Sequence, residues 1–269
     1  MQTHKEIIYS MDADISEKRI VTASSDRVVR TFRIENVQLI PEQELLGHDS
    51  PVTKAIFLHK GELICSSCYT GEIIIWQLEG TQYNKKFSTK VFSGSINSIS
   101  SLFQENSFKI FCACSDGVIR ILSFDFKFNF KMTEVSAHKF GITSISNNDK
   151  YLLTGGMDSK VTLFDISSMK EVSVFNDHTN IVRDVSIAKT NEFNLDVFAS
   201  CSDDGKLIIY YFDNEVVKKQ VVEINTPLSS LAWSKRGYSL SVGYGENMVK
   251  HYVPDINGYF KEVELDTVD

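Results

Sequence analysis

The sequence predicts an all-β fold, a six-bladed β-propeller, on three observations: a signal that returns six times, strands apolar on both faces, and a length that six repeats use up. Each copy of the signal has small residues, a turn holding Asp or a stand-in, and an aromatic or large aliphatic side chain six residues later. The turn positions are Asp26, Thr70, Asp116, Asp158, Asp204 and Glu246, which lie 44, 46, 42, 46 and 42 residues apart. Ile73, Ile74, Ile75 and Trp76 have no polar face, and neither do Leu207, Ile208, Ile209, Tyr210, Tyr211 and Phe212. Strands covered on both sides by stacked neighbours read this way.

A period of roughly 40 to 45 residues with four short strands per unit is the signature of a WD-repeat blade. A single propeller domain is expected over 1–265, with blades at about 1–46, 47–92, 93–136, 137–176, 177–225 and 226–265 and a short tail at 266–269. Blade one starts with a strand at 6–11, passes Ala23, Ser24 and Ser25 to its turn at Asp26, and ends its third strand at Phe32. Blade two enters at Gly47-His48 and runs through Thr70 to Trp76. Blade three turns at Asp116 and reaches Leu122; the alternating Phe124, Phe126, Phe128 and Phe130 that follow predict a strand-to-strand crossover with one apolar face. Blade four carries Gly155 and Gly156 before Asp158 and ends at Phe164, and blade five runs from Asp204 to Tyr210. Blade six turns at Glu246, reaches Tyr252 and finishes with a strand at 259–264. The small residues before each turn let neighbouring strands approach closely, and the turn Asp accepts backbone N–H bonds.

The histidines obey the same period. His4, His48, His138 and His178 precede the turn positions of blades one, two, four and five by 20 to 26 residues. In a WD repeat such a His and the turn Asp bond within one blade, the Asp accepting a ring N–H and fixing the tautomer. Trp76 is the one Trp at a terminal slot, and it sits in the blade whose Asp is replaced by Thr70, so no blade keeps His, Asp and Trp together. A catalytic reading needs a nucleophile context, and no G-x-S-x-G elbow occurs. Gly243-Tyr244-Gly245 and the segment 155–160 match neither a dinucleotide loop nor a Walker A loop. Cys65 and Cys68 form a C-x-x-C, but residues three apart on a strand point to opposite faces, so a shared ion or disulfide is not expected. No residue is assigned a catalytic, cofactor-binding or metal-binding role.

With 42% hydrophobic residues, 23% charged and four prolines among 269 residues, the chain is globular. A net charge of −7 and no run of Lys or Arg longer than a pair argue against direct nucleic-acid binding and against other anionic partners. No apolar stretch approaches 18 residues and the first residues lack a signal-peptide core, so a soluble, intracellular protein is expected, with only peripheral and indirect membrane association. The absence of any Asn-x-Ser/Thr sequon agrees with that.

Several segments in order carry a resemblance. His4-Lys5-Glu6-Ile7-Ile8 leading to 19–26 resembles the first blade of the Sec-thirteen family, and 47–52 resembles its entry to the second. The openings 95–99, 137–142 and 181–185, the last containing Val182-Arg183-Asp184-Val185, resemble those of blades three, four and five. Most terminal Trp positions depart from the family pattern and are Phe, Leu or Tyr. The resemblance implies a non-enzymatic scaffold shared by the outer cage of the COPII vesicle coat, in ER-to-Golgi transport, and the Y-complex of the nuclear pore. It implies an open ring, completed in trans by a strand-donating α-solenoid coat subunit or α-solenoid nucleoporin that supplies a seventh blade. It implies locations in the cytoplasm, at the cytoplasmic face of the ER and its vesicles, and at the nuclear envelope.

Six periods of about 44 residues leave no strand to close the ring from within. The receiving surface is therefore expected on Ile7, Ile8, Tyr9 and Met11 of blade one and Met248, Tyr252, Tyr259 and Phe260 of blade six, by β-strand addition. Two alternatives carry different expectations. The sister open propeller of the pore complex shares the architecture, whereas a WD-repeat substrate adaptor would have a closed ring with charged or aromatic residues at its channel mouth.

Overall fold

The computed structural model describes residues 4–36, 38–105, 107–188, 196–213, 216–234 and 236–264. The expected tail at 266–269 lies outside them. The chain is an all-β, six-bladed propeller of WD-repeat type, with six four-stranded antiparallel sheets, each ordered by sequence from first strand to fourth. Two compact units, 1–135 and 136–269, each hold three sheets. No α-helix occurs among the described residues; one 3-10 turn covers His59–Gly61.

In the first unit, blade one comprises β1 (Ile8–Ala13), β2 (Arg19–Ser24), β3 (Val28–Glu35) and β4 (Gln38–Leu46). Blade two comprises β5 (Val52–Leu58), β6 (Leu63–Cys68), β7 (Glu72–Glu79) and β8 (Gln82–Lys90), and blade three β9 (Ile96–Gln104), β10 (Ser107–Cys114), β11 (Val118–Asp125) and β12 (Phe130–Ser136). In the second unit, blade four comprises β13 (Ile142–Asn147), β14 (Tyr151–Gly156), β15 (Val161–Asp165) and β16 (Glu171–Phe175). Blade five comprises β17 (Val182–Ile187), β18 (Asp196–Ser202), β19 (Lys206–Asp213) and β20 (Val216–Glu223), and blade six β21 (Leu228–Trp233), β22 (Leu240–Tyr244), β23 (Met248–Pro254) and β24 (Phe260–Val263).

Each second strand lies between two strands of its own sheet and packs on both faces, which is why β6 and β14 are buried at every residue. The fourth strands β8 and β12 are mostly exposed. Within each unit the cores are shared by neighbouring blades: Val21, Val29, Ile64 and Trp76 join blades one and two, and Cys65, Ile75, Phe108 and Phe124 join blades two and three. Leu153, Val185 and Phe198 join blades four and five, while Ile209, Leu240 and Tyr252 join blades five and six. All five cysteines are buried and free. Burial pushes the Cys65 thiol far up and that of Cys114 to about 11, so neither behaves as a ready thiolate.

Two glycines are required by geometry. Gly71 holds φ +78° in the blade-two turn, where a Cβ would fall 2.2 Å from the Phe92 carbonyl oxygen. At Gly156 a Cβ would lie 2.3 Å from His138 Nδ1, so the small residue makes room for the histidine network described below.

Three local expectations need correction. The first strand, expected at 6–11, is β1 at Ile8–Ala13, with a register shift between Ile8 and Ser10. The last, expected at 259–264, is β24 at Phe260–Val263, because Asp255 caps a turn by accepting the N–H groups of Asn257 and Tyr259. The run Phe124 to Phe130 is not one crossover strand with an apolar face: β11 ends at Asp125, whose carboxylate accepts the N–H groups of Lys127 and Asn129 and reverses the chain. Phe124 is consequently core, stacked on Phe108 at 4.9 Å, while Phe126 and Phe130 stay exposed.

Candidate functional site

The turn positions of the first five blades form graded versions of one polar network. In blade four, His138 Nδ1 lies 2.8 Å from Asp158 and its Nε2 lies 2.9 Å from Thr154 Oγ1. Asp158 also accepts the backbone N–H groups of Lys139 and Lys160, tying the segment before β13 to the β14–β15 turn. Blade five repeats this with His178, Asp204 (3.0 Å) and Ser200 (2.7 Å), and blade one with His4, Asp26 (3.0 Å) and Thr22 (2.7 Å). Burial pushes the His138 and His178 pKa values down, against the opposing pull of their aspartates. Burial acts to raise Asp158 and Asp204, but the hydrogen bonds they accept outweigh it and hold both below the usual carboxylate range. The same balance, with Arg30 added, holds Asp26 lower still.

A hydroxyl, an imidazole and a carboxylate in line also describe a nucleophile-activating triad. Here Thr154 and Ser200 are wholly buried, and the His138 and His178 side chains have at most 1% exposure, so a substrate cannot reach these hydroxyls. The networks fasten strands.

The other three turns depart from the pattern. Blade three has Phe92 where a His would stand, and Arg120 takes over, pairing with both Asp116 oxygens at 3.0 and 2.8 Å while its guanidinium covers the Phe92 ring. Blade two keeps the inner half only. His48 Nε2 and Trp76 Nε1 converge on Ser66 Oγ at 2.7 and 3.0 Å, but Thr70 bonds Ser50 Oγ and Cys68 Sγ instead of the histidine. His48 Nδ1 is thereby buried with no hydrogen-bond partner, and burial pushes the His48 pKa down to about 4. In blade six Glu246 is exposed.

The residues expected to form a receiving surface divide. Ile7 (68% exposed), Ile8, Tyr9 and Met11 (63%) present an apolar edge on blade one, and Met248 and Tyr259 are exposed on blade six. Tyr252 and Phe260 are placed otherwise. They are 2% and 5% exposed, packed against blade five in one core cluster, so neither can lie on an accessible receiving surface. In β22–β23, Leu240 pairs with Tyr252 on that packed face, whereas the exposed Val249 pairs with Gly243 on the opposite one.

Sequence reasoning missed the residues that join blade to blade. In the first strands, Ser10 Oγ accepts the N–H of Ala55 and an Asp12 oxygen accepts that of Phe57. Ser146 serves Ile187, and Asp184 serves Leu231, in the same way within the second unit. By register, Met11 and Ala13 hold in blade one the places that Ala55 and Phe57 hold in blade two. On the fourth strands, Gln43 exchanges two hydrogen bonds with the Tyr83 backbone and Gln220 two with the Phe260 backbone. Their signal was a Gln 40 residues before its partner in both pairs.

Six four-stranded blades, three of them with His–Asp turn networks, define a WD-repeat propeller, and the WD domain, G-beta repeat family matches residues 40–77, 129–165 and 169–210. Similar proteins extend the match to the whole chain. Protein transport protein sec13 of Emericella nidulans is 25% identical, covering 97% of this chain and 95% of its own length. The SEC13 protein of Yarrowia lipolytica is 28% identical over 95% of each, and SEC13-2 of Candida glabrata is 26% identical over 97% of each. Over nearly its whole length the chain is similar to proteins named Sec13.

Proposed function

We propose that this protein is a non-enzymatic structural subunit in protein transport, a propeller of the COPII outer cage that accepts a strand-built seventh blade from an α-solenoid partner. Near full-length similarity to relatives named protein transport protein supports the transport role. The observation that carries the acceptor role is the apolar edge of blade one: Ile8, Tyr9 and Met11 are exposed on a strand that pairs on one side only, and Ile7 is exposed just before it. An unpaired apolar edge strand is an aggregation liability that proteins cover. A donated strand would cover it, with a hydroxyl or carboxylate meeting the Met11 and Ala13 amides as Ser10 and Asp12 meet blade two.

The same acceptor suits a second solenoid, a nucleoporin of the nuclear pore Y-complex, which would place the protein at the nuclear envelope as well as at the cytoplasmic face of the ER and its vesicles. Affinity purification with mass spectrometry tests the proposal. Solenoid subunits of the coat, and of the pore, should be recovered with the wild-type chain and lost with Met11→Glu. Recovery of neither, or equal recovery with the variant, would overturn it.

A further inference from the structure

Blade two holds an unassigned cluster where the turn Asp is missing. His48, Cys68 and Glu72 each turn one ligand atom into a common space, all within 4.8 Å of one another, and His48 Nδ1 stands 3.6 Å from Glu72 Oε2. His48 and Cys68 are buried, while Glu72 is one-quarter exposed at the mouth. The buried Nδ1 aimed into this space has no hydrogen-bond partner, which leaves a desolvated polar atom uncompensated.

We propose that His48 Nδ1, Cys68 Sγ and a Glu72 carboxylate oxygen bind one divalent metal ion of the zinc class, which ties the blade-two turn together in place of the absent aspartate. The donor set is the mixed N, S and O type that zinc accepts, with a fourth position open toward Glu72 and solvent. Zinc bonds of about 2.0 to 2.3 Å place tetrahedral ligand atoms about 3.3 to 3.8 Å apart. The His48–Glu72 separation already lies there, and a contraction of about 1 Å in the longest span allowed closes the triangle.

The surroundings match the tautomer this demands. Metal on Nδ1 leaves the proton on Nε2, where it donates to Ser66 Oγ; that oxygen has two lone pairs and also accepts the Trp76 N–H. A hydrogen-bonded partner on the far ring nitrogen is the usual support of a metal-bound imidazole. Binding releases the Cys68 thiol proton to solvent, since the thiolate is the ligand. Lys85 Nζ, 3.9 Å from Glu72 Oε1, is the competing cation, and its half-exposed side chain can leave; Asp49 adds negative charge nearby.

The test uses the full chain, treated with chelator and dialysed against zinc or cobalt(II). One equivalent of zinc should be retained, and the cobalt form should show the thiolate charge-transfer band with the intense visible bands of a tetrahedral site. Cys68→Ala should abolish the charge-transfer band and weaken zinc binding at least tenfold, and Glu72→Gln, at a half-open position, should weaken it several-fold. Cys201→Ala, at a buried cysteine beside Ser202, the blade-five counterpart of Cys68, should change neither. Absence of stoichiometric metal, or a charge-transfer band that survives Cys68→Ala, would overturn the proposal.

Discussion

Blades four and two carry the same entry histidine and the same buried hydroxyl, and differ at one turn residue. In blade four Asp158 takes the imidazole N–H together with two backbone amides; in blade two Thr70 reaches only Ser50 and Cys68. The difference separates two jobs of the turn aspartate. Its backbone bonds shape the turn, which in blade two Gly71 and the packing of β6 maintain, and its histidine bond neutralises a buried donor, which in blade two nothing within hydrogen-bond distance replaces.

The largest way to break the comparison is Asp158→Ala. It strands the His138 N–H and leaves the Lys139 and Lys160 amides without their acceptor, and should cost about 3 to 4 kcal/mol in urea unfolding. Acid is the next lever. His48 titrates near pH 4 in the folded protein but near 6.5 when unfolded, so the unfolded chain takes up the proton first as pH falls. The stability this residue contributes is complete above about pH 7, declines by about 2 kcal/mol on going to pH 5, and stays lost below about pH 4. His138 and His178, also pushed down, add to the same window, whereas the depressed Asp158 and Asp204 hold their contribution until pH falls below the ordinary carboxylate value and through their own.

Thr70→Asp should move blade two toward blade four. Given to metal-free protein, it supplies the missing acceptor and should stabilise by about 1 kcal/mol at neutral pH, while flattening the decline between pH 7 and 5. The smallest expected effect on the isolated chain is that of Met11→Glu, within about 0.5 kcal/mol, because the side chain is already exposed.

These contrasts also mark what could be read from residues alone. The period and the His–Asp pairs of blades one, four and five were legible because each is a local pattern repeated at fixed spacing. Blade three's Arg120 was not, since an arginine four residues after the turn serves the same end from a different strand. The faces of Tyr252 and Phe260 were misread because both pack in the core shared with blade five, and a strand's own residue pattern does not say which of its faces meets the neighbouring blade. The cluster of His48, Cys68 and Glu72 was hidden for a similar reason: Cys65 invited pairing with Cys68, but the actual neighbours come from the blade entry and the next strand.

The central claim is that the edge of blade one accepts a strand from a solenoid partner, and hydrogen exchange tests it most directly. Exchange over 8–13 should be fast in the isolated chain and slow markedly, at Met11 and Ala13 above all, when the α-solenoid coat subunit is bound. Equal protection of β1 in the free and bound protein would contradict the account.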